Sequence, residues 1–287
     1  MRQQDVQMGY YNRRVPTGVP DLDAIVKGGL PEGSVVLLLG EIGSGQHEFV
    51  YTSAYALATV REKPFLAESL LGSFCDIDAI PDNICYVTFS RSRHDIMREI
   101  ATSFNKHFHD ILSKKLRFKD LSSHYYKKSL VPPSWTGEDN GGSLFSGTPK
   151  ENVLEALINY LDQAPKQSMI IIDSLTDLVV NENIEISDLV SILRGIQRAS
   201  KHWGGIVYII LTQDIMDKQN QQKVVDSVDG VLHFEWSHFH KSSKRLRYMY
   251  VEKFMNVLPY LDERKLARFP TMVSANRGMT VVNMDRY

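Results

Sequence analysis

Cysteine is scarce in this sequence, and a long apolar run is absent. Cys75 and Cys85 are the only cysteines among 287 residues, so no framework of disulfides can hold the fold together. No stretch approaches the run of about 20 apolar residues that crosses a bilayer. The opening "MRQQDVQMGYYNRR" also lacks the apolar segment of a secretory signal. These absences favour a cytoplasmic protein with reduced thiols and no membrane partner.

An excess of charge of one sign is missing as well. Lysine and arginine number 33 against 34 aspartate and glutamate residues, which gives a formal net charge of -1. A neutral chain has no general electrostatic attraction to nucleic acids or anionic membranes, so only a local basic patch could bind them. With 43% hydrophobic and 23% charged residues, the composition is that of an ordinary globular protein with a full core.

Short apolar runs alternate with amphipathic helical segments along the first 230 residues. The helical stripes cover residues 152–161 and 185–202. The apolar runs are Ser34–Leu39, Ile84–Phe89, Met169–Asp173 and Ile206–Leu211. Such runs are typical of parallel strands covered on both faces by crossover helices. The sequence therefore predicts an α/β fold with a mostly parallel central sheet flanked by helices.

The rhythm changes after Gly230, where "GVLHFEW" and three later apolar segments follow one another with few helical signals. We expect these strands to extend the same sheet in antiparallel fashion. Two insertions interrupt the pattern near residues 63–82 and 107–148, and the second ends in a Pro, Gly and Ser-rich stretch, Lys128–Thr148, that predicts a surface loop. No repeat or linker divides the chain, so residues 1–287 are interpreted as a single domain.

The stretch "GEIGSGQH" follows the first apolar run and resembles a phosphate-binding loop, G-x-x-x-x-G-K-[ST]. Its positions are Gly40, Glu41, Ile42, Gly43, Ser44, Gly45, Gln46 and His47. Gln46 stands at the lysine position of the motif, and His47 stands at the hydroxyl position. Because the stretch lies between a predicted strand and a predicted helix, these residues are the candidate nucleotide-binding residues.

The loop retains only part of the chemistry of an active P-loop. Its glycines let backbone N–H groups surround a phosphate, but the lysine charge and the hydroxyl that ligates Mg²⁺ are missing. Losing one charge-assisted hydrogen bond of roughly 1.5–3 kcal/mol weakens binding by about one to two decades. One alternative is that the glycines only form a tight turn; another is that a protonated His47 substitutes for the missing charge.

Residues 14–45, "RVPTGVPDLDAIVKGGLPEGSVVLLLGEIGSG", are similar to the opening of RecA-like ATPases of the KaiC and RadA group. The chain resembles archaeal KaiC-type proteins, the HTR-like group, with a degenerate Walker A motif. The likeness continues through "YVTFSRSRHDIM", "SMIIIDSLTDL", "YIILTQD" and the terminal strands. It implies a RecA-like P-loop core, an archaeal source, and nucleotide held between neighbouring subunits of a ring.

The resemblance also identifies further site positions. Asp173, which ends "MIIID", stands where the family holds Mg²⁺ through water, with a helix cap as its alternative role. Ser90 and Arg91 stand where one or two glutamates activate the attacking water. Lys253 and Met255 stand where a neighbouring subunit supplies a K-x-R sensor. The activating carboxylate and the arginine are thus also missing.

The joint loss of four groups favours a pseudo-ATPase, with no residue predicted to be catalytic. We expect a regulatory or signalling protein that binds ATP or ADP weakly, does not hydrolyse it, and acts through protein contacts. Mg²⁺ binding is not favoured, and a homo-oligomer is compatible with the family. Two other functions stay open: a slow ATPase with substitute residues, and a DNA-associated recombination accessory.

Two pairs of histidines and one basic run suggest further sites. The pairs His107/His109 and His238/His240 could each share one face of a strand and ligate a metal. The basic run "HKSSKRLR", residues 240–247, could contact nucleic acid or form a solvated hairpin turn. Because the net charge of the chain is close to zero, nucleic acid is not a favoured partner.

Overall fold

The computed structural model describes residues 13–136, 151–237, 246–263 and 268–282. Within these ranges, nine strands form one sheet in the order β11-β10-β9-β8-β3-β7-β6-β4-β5, and two short strands pair separately. The strands are β1 Arg14–Val15, β2 Leu30–Pro31, β3 Ser34–Gly40, β4 Asn83–Thr88, β5 Leu116–Asp120, β6 Ser168–Asp173, β7 Ile206–Thr212, β8 Gly230–Trp236, β9 Arg247–Phe254, β10 Phe269–Ser274 and β11 Gly278–Val281. The predicted α/β class is confirmed.

Helices connect and cover these strands. They are α1 Pro20–Ile25, α2 Gln46–Glu62, α3 Ala67–Leu71, α4 Arg93–Ser103, α5 Lys106–Lys115, α6 Ser122–Tyr125, α7 Val153–Gln163, α8 Leu175–Val180, α9 Ile186–Trp203, α10 Lys218–Asp226 and α11 Leu258–Glu263. The two predicted amphipathic stripes correspond to α7 and α9, whose apolar sides contribute Leu157, Leu189 and Leu193 to the core. In the described part of the chain, no helix is long and apolar enough to cross a membrane.

The two faces of the sheet carry separate hydrophobic clusters because successive side chains of a strand point to opposite sides. Along β3, Val36 and Leu38 pack with α2, α4 and α5 on one face. Val35, Leu37 and Leu39 pack with α7, α9 and α10 on the other. Strands buried on both faces explain the continuous apolar runs of the sequence.

The antiparallel extension begins one strand later than predicted. "GVLHFEW", which is β8, lies parallel to β3, so it belongs to the parallel core. The extension consists of β9, β10 and β11, each antiparallel to its neighbour. The periodicity of one segment does not reveal strand direction, which depends on the crossover that precedes it; here α10 provides that crossover.

Both insertions contribute packed structure. The first contains α3, and Ala67, Leu71 and Ile80 are buried against the body. The second contains α5, α6 and the edge strand β5, which pairs parallel to β4 and was not predicted. The sequence of β5, "LRFKD", alternates in polarity because an edge strand is only half covered.

A buried carboxylate organises the chain just before the sheet. Asp23 in α1 is fully buried and accepts hydrogen bonds from the backbone N–H groups of Thr17 (2.7 Å) and Gly18 (3.1 Å). Burial raises the pKa of Asp23 to about 7, although these hydrogen bonds act in the opposite direction. The "TGVPDLD" stretch is thus a local structure held by one side chain.

Candidate functional site

The candidate loop lies at the edge of the sheet where the parallel strands end. It connects β3 to α2, beside the ends of β4, β6 and β7. In open α/β sheets this edge is where ligands bind, because strand ends and helix N-termini converge there. Loop and sheet thus have the arrangement that the sequence predicted.

Glycines allow the loop to turn tightly into α2. Gly43 and Gly45 have φ angles of 72° and 130°, a region that side chains other than glycine seldom adopt. Gly45 is the N-cap of α2 and provides no side-chain cap. The first N–H groups of α2 therefore have no intrahelical acceptor and point toward the loop, as an anion site requires.

Two polar loop residues are buried within the loop itself. Ser44 Oγ lies 2.7 Å from the carbonyl of Glu41, 3.1 Å from the carbonyl of Phe234 and 3.2 Å from Gln46 Oε1. A Cβ added at Gly40 would lie 2.8 Å from Gln46 Nε2. The Gln46 amide, at the lysine position of the motif, is thus folded against the end of β3.

An aromatic side chain from β8 packs on the loop. Trp236 Nε1 donates to the carbonyl of Ile42 at 3.1 Å. Arg247 lies over the Trp236 ring at 4.7 Å and forms an ion pair with Glu48 of α2 at 3.1 Å. Arg247, the last residue of the basic run, therefore stabilises the loop from within the chain.

Asp173 is the centre of a polar cluster beside the loop. Its side chain is 3% exposed. His47 Nε2 donates to Asp173 Oδ1 at 3.0 Å, and the Tyr86 hydroxyl donates to Oδ2 at 2.7 Å. Arg91 Nη1 lies 3.5 Å from Oδ2, and Arg91 also forms an ion pair with Glu99. Both oxygens of Asp173 thus have partners from the chain.

The protonation preferences of the cluster favour an ion pair. Burial alone would lower the pKa of His47, but the hydrogen bond and charge of Asp173 outweigh it and raise that pKa. Burial would raise the pKa of Asp173, yet His47, Tyr86 and Arg91 hold it below its ordinary value. Both shifts favour the charged form, the imidazolium at His47 and the carboxylate at Asp173.

Asp173 does not cap a helix. Ser174 is the N-cap of α8, and its side chain forms a capping box with Asp177. Asp177 also accepts a hydrogen bond from Ser90 Oγ at 3.0 Å. Burial raises the pKa of Asp177, and the charge of Asp173 adds to the effect. A second carboxylate thus lies beside the position where the family has its glutamate.

The residues around Asp173 do not fit Mg²⁺. This ion prefers oxygen ligands in octahedral geometry and keeps several of its waters. The loop offers His47 where a hydroxyl oxygen is needed, and the oxygens of Asp173 contact an imidazole, a phenol and a guanidinium. Among the described residues, no group of three or more His, Cys, Asp or Glu side chains could hold a metal ion.

The late-strand sensor position has an internal role. Lys253 Nζ donates to the carbonyls of Val225 (2.9 Å), Asp226 (3.1 Å) and Val228 (2.7 Å) at the end of α10. A lysine that satisfies the last carbonyls of a helix stabilises its C-terminus. Met255, at the expected arginine position, is 86% exposed.

The histidine pairs do not form a strand-borne metal site in the described ranges. His107 and His109 lie on α5, so the prediction that they share a strand is wrong. His107 packs edge-on against Tyr55 with ring centroids 5.8 Å apart. His238/His240 and most of the basic run lie outside the described residues.

A separate cleft of about 420 Å³ is lined by residues of α6 and of the first turns of α7 and α9. Its lining includes the basic residues His124, Lys127 and Lys128 and the acidic residues Glu155 and Asp188. Neither Asp173 nor the candidate loop lines this cleft. The volume of a cleft therefore does not by itself identify the candidate phosphate site.

Comparisons with known proteins agree with the sequence resemblance. Residues 15–64, which run from β1 to just past the end of α2, match the family model "ATPase: KaiC". The fold is similar to the crystal structure of a KaiC-like protein from the hyperthermophilic archaeon Pyrococcus horikoshii OT3, with a TM-score of 0.60 and 17% identity over 94% of this chain and 99% of that one. No curated protein matches the sequence. The resemblance to KaiC-type proteins and the RecA-like fold are thereby confirmed.

Proposed function

We propose that this protein is a KaiC-like P-loop protein that binds ATP or ADP weakly, does not hydrolyse it efficiently, and regulates or signals through protein contacts. The supporting observation is the cluster around Asp173. Hydrolysis by such folds requires a carboxylate that orients Mg²⁺ and another group that positions water. Here the oxygens of Asp173 contact His47, Tyr86 and Arg91.

Nucleotide binding itself is supported by the part of the site that remains. The glycine turn and the N-terminus of α2 provide backbone N–H donors for a phosphate. Gln46 provides no charge at the lysine position of the motif, so the affinity is expected to be weak. Isothermal titration with ATP and ADP measures this affinity, and Gln46→Lys tests the missing charge. We expect Gln46→Lys to tighten binding by about tenfold; an unchanged affinity would contradict the proposal.

Hydrolysis is tested by sensitive measurement of phosphate release. We expect wild-type turnover at the level of a buffer control. Turnover well above that level, if it disappears in Asp173→Ala while the variant stays folded, would overturn the assignment.

A slow ATPase is the second candidate, and Asp177 favours it. Its carboxylate lies next to Ser90, at the end of β4 where relatives carry a glutamate, and its pKa is raised. A carboxylate with a raised pKa is a better general base than an ordinary one. Asp177→Asn would then abolish residual turnover, whereas Asp95→Asn, at the equivalent capping-box position of α4, would leave it unchanged.

Protein contacts, including self-association, complete the proposal. Ile42 at the tip of the loop is 85% exposed, although its carbonyl is fixed by Trp236. An exposed apolar side chain beside a nucleotide loop suits a contact with a neighbouring subunit or another protein. Light scattering coupled to size exclusion, with and without ATP, measures the assembly, and Ile42→Ser is expected to reduce it. DNA binding is not favoured, because the net charge of the chain is -1 and Arg247 of the basic run is paired with Glu48; salt-dependent binding to DNA would argue for the recombination alternative.

A further inference from the structure

We infer that the side chains of His47 and Arg91 occupy the role of Mg²⁺ at this site, so that nucleotide binding does not depend on a divalent cation; this rests on the proposed function. The observation is that an imidazole from α2 and a guanidinium from the segment after β4 both contact Asp173. In a metal-dependent P-loop the same carboxylate faces Mg²⁺ and its waters.

His47 contacts Asp173 directly. His47 is the second residue of α2, at the hydroxyl position of the motif, and its Nε2 lies 3.0 Å from Asp173 Oδ1. A direct contact of this length leaves no room for a hydrated cation between the two side chains. Removing the imidazole would be needed before a metal could reach Oδ1 from the loop.

The other oxygen of the carboxylate also has partners from the chain. Tyr86 donates to Oδ2 at 2.7 Å from within β4, and Arg91 Nη1 lies 3.5 Å from the same atom. Tyr86 is fully buried, so moving its hydroxyl away from Asp173 would leave a buried donor without an acceptor, which is costly. A cation would have to compete with a fixed donor and with a permanent positive charge.

A phosphate at the loop would meet the side chains of His47 and Arg91 before it met Asp173. Asp173 is 3% exposed, whereas the side chains of His47 and Arg91 are 33% and 29% exposed. The imidazole and the guanidinium therefore lie between the carboxylate and the solvent. A bare aspartate would repel a phosphate, but this surface presents N–H donors to it. Arg91 has five N–H groups, more than its contacts with Asp173 and Glu99 use.

The test compares nucleotide affinity with and without metal. Isothermal titration with ADP and ATP is performed in Mg²⁺ and in EDTA. We expect the two dissociation constants to agree within about twofold, and Arg91→Ala to weaken both by about tenfold. Arg93→Ala is the matched control, since Arg93 is a nearby arginine that donates to the carbonyl of Ser113; it should change neither constant. Mg²⁺ that tightens binding tenfold or more would overturn the inference.

A second measurement does not require nucleotide. Electron paramagnetic resonance with Mn²⁺ alone, and with Mn²⁺ and ADP, reports bound metal. We expect the wild type to show no bound Mn²⁺ that depends on Asp173, so Asp173→Asn should leave its spectrum unchanged. We expect the His47→Thr variant to bind Mn²⁺ in the presence of ADP. Mn²⁺ bound by the wild type through Asp173 would overturn the inference. If neither nucleotide binds in any buffer, the proposed nucleotide binding fails, and the Mn²⁺ result alone decides whether the cluster excludes metal.

Discussion

Replacing Asp173 by alanine distinguishes a structural centre from a metal ligand. A carboxylate reserved for Mg²⁺ has few partners of its own, so its removal hardly changes the stability of the free protein. Here the carboxylate accepts hydrogen bonds from His47 and Tyr86 and faces Arg91. Each hydrogen bond to a charged group contributes about 1.5–3 kcal/mol. Since His47 and Arg91 can regain water, we expect Asp173→Ala to lower the free energy of unfolding by about 3 kcal/mol.

Urea denaturation followed by circular dichroism measures this loss. The free energy of unfolding must depend on urea concentration with a similar slope in both proteins before their unfolding midpoints are compared. Asp95→Ala is the matched control: Asp95 is an acidic residue in an exposed capping box, and its loss should cost about 1 kcal/mol. Adding His47→Ala to Asp173→Ala should cost less than His47→Ala alone, because the partner is already gone. A protein with Asp173→Ala as stable as the wild type would refute the reasoning.

Three further predictions address other parts of the chain. Burial raises the pKa of Asp23 to about 7, so the folded state favours the protonated carboxyl. Relative to Asp23→Asn, the free energy of unfolding of the wild type, measured in urea, should fall by at most roughly 4 kcal/mol as the pH rises from about 4 to 7 and level off above that. Gly45→Ala should destabilise the loop by about 1–3 kcal/mol in thermal unfolding, because φ is 130° and the new Cβ would lie 2.6 Å from Met279 Cε. Lys253→Met should cost about 1 kcal/mol in urea through the end of α10 and leave nucleotide affinity unchanged; a loss of affinity with intact stability would indicate a sensor.

The central strands were predictable because burial on both faces leaves a continuous apolar run. β3, β4, β6 and β7 each coincide with such a run. The direction of β8 was not predictable in the same way, since an apolar strand reads identically in either direction. The edge strand β5 escaped because its Arg117 and Lys119 interrupt the apolar pattern.

The candidate loop was recognisable from its glycine spacing, but the cluster beside it was not. His47 and Asp173 are 126 positions apart, and no local pattern joins them. Arg91 could be identified only as a residue standing where a glutamate was expected. Its contact with Asp173 depends on β4 lying next to β6, with Thr88 opposite Asp173. Tyr86 gave no signal, since an aromatic residue in a buried strand is ordinary.

The strand order explains why the partners of Asp173 come both from α2 and from β4 with the segment that follows it. β6 lies next to β4, so a residue just after Thr88 can reach Asp173 directly. β7 separates β3 from β6, and His47 spans that distance from the first turn of α2. In a metal-dependent site, Mg²⁺ and phosphate fill the corresponding space. Restoring only the hydroxyl with His47→Thr would free one oxygen of Asp173 but leave Tyr86 and Arg91 at the other. Our proposal therefore expects Mg²⁺-dependent hydrolysis to require changes on both sides of the carboxylate and not at His47 alone.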